Sequence, residues 1–301
     1  MMNGAASKTQ NPKPETKVRD YLELVKFSHT IFALPFALAS MIIAANGFPD
    51  WRVFAWILVA MISARTAAMG FNRIVDRDID ALNPRTQSRE IPAGKVSVAH
   101  AAILVGVSAL LFVFAAWQLN MLALILSPLA LAALFFYSYC KRFTHFAHFV
   151  LGLCLGIAPV GAWVAVRGTL DFAPCVLAAA VMLWVAGFDV IYATMDNDFD
   201  RAHGIHSLVQ TLGIARALKA AKLLHVGFIA LLGTFGFLVH LSWPFYVGVL
   251  LIASFLIYEH SLVDESDLRR VNAAFFTVNG VISVVFLAIV MASVWLPQIG
   301  K

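Results

Sequence analysis

The stretch FAPCVLAAAVMLWVAGFDVIY, residues 172–192, runs directly into ATMDNDFD, residues 193–200, and its reading decides the fold. It carries a single charge, Asp189, and is too long and too continuously apolar for a strand. Its length suits a helix crossing a hydrocarbon core of roughly 30 Å. In lipid the backbone must satisfy its own hydrogen bonds, which favours a helix again. Three carboxylates, Asp196, Asp198 and Asp200, follow it. Each would cost roughly 2.5–3.5 kcal/mol at a helix centre, so the cluster marks the membrane interface and is not there for stability alone.

Comparable apolar runs recur on both sides of this one. They lie near 22–45, 53–71, 98–118, 120–139, 145–166, 172–192, 218–240, 244–262 and 273–296, which gives nine expected spans. The chain is 61% hydrophobic and 13% charged, which places it among polytopic membrane proteins. The expected fold is an all-α bundle of about nine transmembrane helices. Basic residues gather before the first span and after the even-numbered ones, as Arg73, Arg85, Arg89, Lys141, Arg201 and Arg270 illustrate. The other side holds only Arg52, Arg167 and Lys301. The positive-inside rule therefore puts the N-terminus and the acidic loops on the cytoplasmic side of the plasma membrane. The net charge of +5 is explained by this topology and does not suggest nucleic acid. Residues 1–19 are expected to be a disordered cytoplasmic N-terminus without the apolar core of a signal peptide, and 20–301 a single integral domain. Cys140, Cys154 and Cys175 lack metal or redox spacing.

A second acidic stretch mirrors the first. Asn72-x-x-x-Asp76-x-Asp78-x-Asp80 matches Tyr192-x-x-x-Asp196-x-Asp198-x-Asp200 position for position, each after an even-numbered span. Residues four apart share a helix face. If the spans continue as helix, Asn72, Asp76 and Asp80 form one acidic stripe and Tyr192, Asp196 and Asp200 another. Asp78 and Asp198 point away and rank below their neighbours as ligands. Seven residues is close to two turns, so Arg65 lies below Asn72 and Asp189 below Asp196, both as buried ionisable candidates.

Hard oxygen ligands of this kind suit Mg²⁺, which a few carboxylates and substrate phosphates usually hold. Arg85 and Arg89 follow the first cluster, and Lys141 ends the fourth span. Arginine suits bidentate phosphate contacts, so the set reads as a metal–diphosphate site. A calcium loop would need glycine at its sixth position and glutamate at its twelfth; Ala81, Arg201, Gln87 and Ser207 stand there instead. The pairs His145/His148 and His203/His206 lack a third zinc ligand, so loop hydrogen bonding or phosphate contact is the stronger reading. His29, near the cytoplasmic end of the first span, is a pocket candidate. Gly152, Gly156 and Gly161 are spaced for close helix contact.

At these residues the chain resembles the UbiA superfamily of intramembrane prenyltransferases. Asn72, Asp76 and Asp80 match its first motif, Asn-Asp-x-x-Asp-x-x-x-Asp, with Arg73 replacing one motif carboxylate. Tyr192, Asp196 and Asp200 match the second motif, and 83–89 resembles the family's Arg-Thr-x-x-Arg stretch. The resemblance implies a polyprenyl diphosphate donor, a small aromatic acceptor in quinone biosynthesis and two Mg²⁺ ions bridging carboxylates and diphosphate, with no obligatory protein partner. The Phe27-Ser28-His29-Thr30 start and the 200–207 tail look most like the menaquinone branch acting on 1,4-dihydroxy-6-naphthoate. The alternative acceptor is 4-hydroxybenzoate. On this reading Arg85, Arg89 and Lys141 take up charge on the leaving diphosphate, Asp189 is the candidate base, and Arg65, Tyr192 and His29 bind substrate. A membrane transporter is the alternative from another class, but the acidic residues collect at one face rather than at the midplane.

Overall fold

The computed structural model describes residues 18–25, 32–265 and 267–296. The expectations for residues 1–17 and for His29 lie outside the described residues, while Val18 and Arg19, expected to end the disordered N-terminus, instead open a helix. In chain order the helices are α1 (Val18–Leu24), α2 (Leu34–Ala45), α3 (Trp51–Val75), α4 (Arg77–Leu82), α5 (Val98–Leu119), α6 (Met121–Cys140) and α7 (Ala147–Arg167). They continue as α8 (Phe172–Ala193), α9 (Asn197–His203), α10 (Leu208–Leu212), α11 (Ile214–Leu238), α12 (Trp243–Ser261), α13 (Val271–Ala273) and α14 (Asn279–Trp295). A π-helical turn, Ala274–Val278, joins the last two.

Among the described residues, eight helical units are long and apolar enough to cross a membrane: α3, α5, α6, α7, α8 with its continuation to His203, α11, α12, and α14 with the π turn. The chain is thus a multi-pass membrane helix bundle. The expected first span differs from the rest. Over 22–45 the described residues form the end of α1 and then the 12-residue α2. A helix of that length spans about 18 Å, too short to cross alone. Pro35 suits the first turn of α2, where its missing N–H is not needed. Asn46, in the left-handed region at φ 50°, closes the helix by donating its N–H to the Ile42 and Ile43 carbonyls. At the opposite end of the bundle from the acidic segments, Asn120 caps α6, accepting the Ala123 N–H at 2.9 Å and donating to the Val164 carbonyl at 2.8 Å.

α8 is the central helix. Leu177, Ala180, Val181, Trp184 and Val185 are fully buried, packed with Phe36, Phe228 and Phe286 in one aromatic core. The periphery is the reverse: Leu110, Phe172 and Ile257 are over 70% exposed, as lipid-facing residues are. Because lipid tails are as apolar as leucine, helices associate through close packing and hydrogen bonds rather than by escape from water. The α7–α8 contact shows the first device. A Cβ on Gly152 would meet the backbone of Met182, and one on Gly156 would come within 2.7 Å of the Ala178 carbonyl. Gly161, expected to belong to this set, has nothing within 4 Å of its Cβ position and plays no part in the contact.

The second device is a buried polar ladder. Trp184 Nε1 donates to Asn279 Oδ1 at 2.7 Å, while Asn279 Nδ2 donates to Glu259 Oε1 at 2.7 Å and to the Ala274 carbonyl at 3.1 Å. One carboxamide thus ties α8 and α12 to the π turn. Asn279→Ala strands the indole N–H and removes a donor from the buried Glu259, at about 1–3 kcal/mol for each group left unsatisfied. The expected result is a lower thermal unfolding midpoint in detergent, with less loss for Asn279→Gln.

Candidate active site

Both acidic segments continue their spanning helices almost without interruption. α3 ends at Val75 and α4 starts at Arg77, yet Asp76 stays near helical geometry at φ −89°, ψ −1°. Its N–H bonds the Asn72 carbonyl at 2.9 Å, and the Asp80 N–H bonds the Asp76 carbonyl at 2.8 Å. After α8 a 3₁₀ turn, Thr194–Asp196, leads into α9. The four-residue face therefore survives in both. Asp76, Asp80 and Asp200 are buried and Asp196 half-buried, whereas Asp78 and Asp198 are exposed.

Three carboxylates meet cations, and Asp76 meets two, since Arg142 Nη2 also lies 3.8 Å from its Oδ1. Asp76 Oδ2 accepts from Lys141 Nζ at 2.7 Å and from Asn72 Nδ2 at 3.0 Å. Asp80 Oδ1 accepts from Arg89 Nη1 at 2.6 Å. Asp196 takes a bidentate contact from Arg85, whose Nε donates to Oδ1 at 2.9 Å and whose Nη2 pairs with Oδ2. The turn at 83–86 aims that arginine. Asn83 Oδ1 accepts the Arg85 N–H at 2.9 Å and Asn83 Nδ2 donates to Asp196 Oδ1 at 3.2 Å. The Arg85 guanidinium also lies 4.8 Å from the Tyr192 ring centre and donates to its hydroxyl. Burial opposes the Arg85 charge, but its bonds and charge contacts with Asp196 and Tyr192 outweigh that, and its pKa is raised.

Most of these groups line a cavity of about 190 Å³. Asp80, Asp196 and Asp200 line it, with Arg85, Arg89, Lys141, Asp189 and Tyr192. Gly204, at φ 65°, ends α9 in a left-handed turn, and the returning Ile205, His206 and Ser207 form part of the wall. The His206 N–H bonds the Lys141 carbonyl at 2.8 Å, tying this return to the end of α6. Asn72, Asp76 and Arg65 are not among the lining residues. Asp76 is held by Lys141, which is. Arg65, half-buried two turns before Asn72 in α3, shares the face of Asn72 but not the cavity wall.

His148 and Tyr137 also line the cavity. The residue missed by sequence reasoning is His148 as partner of Asp189: its Nδ1 lies 2.6 Å from Asp189 Oδ2. A histidine and an aspartate, each a few residues inside the same end of its apolar span, were the available signal. Of the other paired histidines, only His145 bonds a loop carbonyl; His203 bonds within its own helix, and His206 Nδ1 is buried without a hydrogen-bond partner. His145 Nδ1 lies 3.2 Å from the Ser207 carbonyl, and His203 Nδ1 lies 2.9 Å from the Phe199 carbonyl.

Among the described residues no three His, Cys, Asp or Glu side chains gather closely enough to hold a metal unaided. The donor set still fits a hard cation. Asp76 Oδ1 and Asp80 Oδ2 are buried oxygens without hydrogen-bond partners, and Mg²⁺ sites commonly combine one or two carboxylates with substrate phosphates.

Fold and site together define a polytopic membrane protein with a polar cavity of carboxylates and fixed cations at one end of its bundle. The UbiA prenyltransferase family model matches residues 33–295, and the chain belongs to that family. It is therefore an integral-membrane prenyltransferase. The 4-hydroxybenzoate octaprenyltransferase of Vibrio cholerae is 30% identical over 285 residues, covering 93% of this chain and 99% of its own. A UbiA homolog from Aeropyrum pernix superposes with a TM-score of 0.80 at 35% identity, over 88% of this chain and 97% of that one. A UbiA homolog from Archaeoglobus fulgidus, bound to GPP and Mg²⁺, shares the fold with a TM-score of 0.71 at 23% identity, over 91% of this chain and 99% of that one. Family membership sets the transporter reading aside.

Proposed function

We propose that the chain transfers a polyprenyl group from polyprenyl diphosphate to a ring carbon of a hydroxylated aromatic carboxylate, on the cytoplasmic face of the membrane. The observation that carries this is the matched set around one cavity, with Asp80, Asp196 and Asp200 facing Arg85, Arg89 and Lys141. Each cation is paired with a carboxylate of its own chain. On donor binding the three cations turn from these carboxylates to diphosphate oxygens, and the carboxylates become free to hold Mg²⁺. Two ions, held by Asp76, Asp80, Asp196 and Asp200 with Asn72, would supply charge neutralisation on the leaving diphosphate. The A. fulgidus relative, which binds GPP with Mg²⁺, supports this assignment.

Arg85, Arg89 and Lys141 hold the diphosphate as the allylic C–O bond breaks and its electron pair leaves with oxygen. The ring carbon ortho to the phenolic hydroxyl supplies the electron pair of the new C–C bond. Asp189 takes the ring proton. Tyr192, which lines the cavity and is backed by the tilted ring of Phe275 at 4.2 Å between ring centres, presents an aromatic face that excludes water from the allyl cation.

The name borne by the V. cholerae relative favours 4-hydroxybenzoate as acceptor. It gives no support to the preference for 1,4-dihydroxy-6-naphthoate drawn from the 27–30 and 200–207 segments. Purified protein with Mg²⁺, a polyprenyl diphosphate and each acceptor in turn decides between them. The expected result is a prenylated carboxylated phenol and equimolar diphosphate, both lost when EDTA removes the metal. Failure of both acceptors overturns the proposal.

A further inference from the structure

We infer that His148 is a positioning residue for the acceptor half of the reaction: it holds Asp189 in place to receive the ring proton. This rests on the prenyl-transfer reading above and adds a residue to it. His148 is 5% exposed, in the first turn of α7, and both of its ring nitrogens are engaged. Nδ1 lies 2.6 Å from Asp189 Oδ2, and Nε2 lies 3.3 Å from the backbone nitrogen of Leu208. The second contact fixes the first. A backbone amide can only donate, so Nε2 presents its lone pair, and the ring proton sits on Nδ1 and is donated to Asp189. An imidazolium would set two N–H groups against each other at Leu208.

This assignment divides the labour. With Nε2 occupied by the Leu208 N–H, the imidazole is not available as the base. Asp189 lines the cavity one turn before Tyr192, and only its Oδ2 is committed to His148. Oδ1 is the atom left to take the proton. The bond to His148 locks the carboxylate rotamer, and the Leu208 bond locks the imidazole. α10 thereby joins the site through a backbone amide. As the new C–C bond forms, the ring carbon carries both its hydrogen and the prenyl group. The C–H electron pair returns to the ring and the proton passes to Asp189, while His148 stays neutral throughout.

Two amide substitutions separate this role from a purely structural one. In His148→Asn the carboxamide nitrogen can stand where Nδ1 does, so the variant keeps a donor for Asp189 and loses the Leu208 contact. His148→Gln places its amide oxygen where Nε2 stands and keeps the Leu208 contact without the donor. Each variant, with His148→Ala, is assayed for Mg²⁺-dependent donor binding, transfer rate, and the kinetic isotope effect on acceptor deuterated ortho to the hydroxyl. The expected result is donor affinity within about twofold of wild type in all three. Transfer falls about 10²-fold in His148→Ala and His148→Gln, the scale of a misplaced general base, and is largely restored in His148→Asn. A primary isotope effect absent from the wild type accompanies the slow variants, because proton loss has become limiting. Rescue by Gln rather than Asn, or slow variants without an isotope effect, overturns the inference. Absence of transfer by the wild type with either acceptor overturns the underlying reading instead.

Discussion

Asp76→Ala and Asp196→Ala each lower prenyl transfer by about 10²–10³-fold or more at saturating Mg²⁺, the scale on which one preorganised electrostatic contact acts. Two effects coincide at each position. The carboxylate is lost as a metal ligand, and its cation partner is released: Lys141 from Asp76, Arg85 from Asp196. Removing one member of a buried pair also destabilises the fold, so Asp76→Asn is the cleaner substitution. It keeps an oxygen for Lys141 and removes the charge. Asp78→Ala and Asp198→Ala, on exposed faces, stay within about twofold of wild type, as surface substitutions away from a site do. The check is transfer of a labelled polyprenyl group by purified variants whose thermal midpoints are measured alongside. Near-normal turnover of Asp76→Ala or Asp196→Ala would remove the metal role, and collapse of the exposed variants would remove the helical-face argument.

Gly152→Val prevents assembly of the bundle. A branched Cβ there runs into the backbone of Met182, which cannot swing aside as a side chain could. Restoring the space means separating α7 from α8, the two helices that carry His148 and Asp189. The expected destabilisation exceeds about 4 kcal/mol, at the severe end for one substitution. Size-exclusion chromatography in detergent reads it as loss of the monodisperse peak. Gly161→Val, further along α7 from the site and with open space at its Cβ, elutes as wild type. A monodisperse, active Gly152→Val protein would refute the close-approach account.

The two acidic stripes were legible because their information is local. A four-residue repeat at the end of an apolar helix needs only helical phase to separate Asp76 and Asp80 from Asp78, and Asp196 and Asp200 from Asp198. The cations near them were legible for the same reason. Arg65 was not: helical phase places a residue on a face, but depth and the tilt of α3 decide whether that face meets the cavity. Helix spacing likewise nominated three glycines in α7, and only the partner helix distinguishes Gly152 and Gly156 from Gly161. The first span looked continuous over 22–45 because apolar residues predominate there despite Glu23, Lys26, Ser28, His29 and Thr30, whereas the described helix α2 starts only at Leu34, with Pro35 in its first turn.

By itself, then, the sequence determined a membrane helix bundle and the gathering of acidic and basic side chains at one end of it, from which the metal–diphosphate reading is proposed. Both follow from composition and from spacing along single helices. The tertiary structure decided which carboxylate meets which cation, that His148 and not a second acid stands behind Asp189, and that Asn279 ties α8 and α12 to the π turn. Apart from Asp80–Arg89, the side-chain pairings join residues 20 to 111 positions apart, and no periodicity within one helix can specify a partner on another.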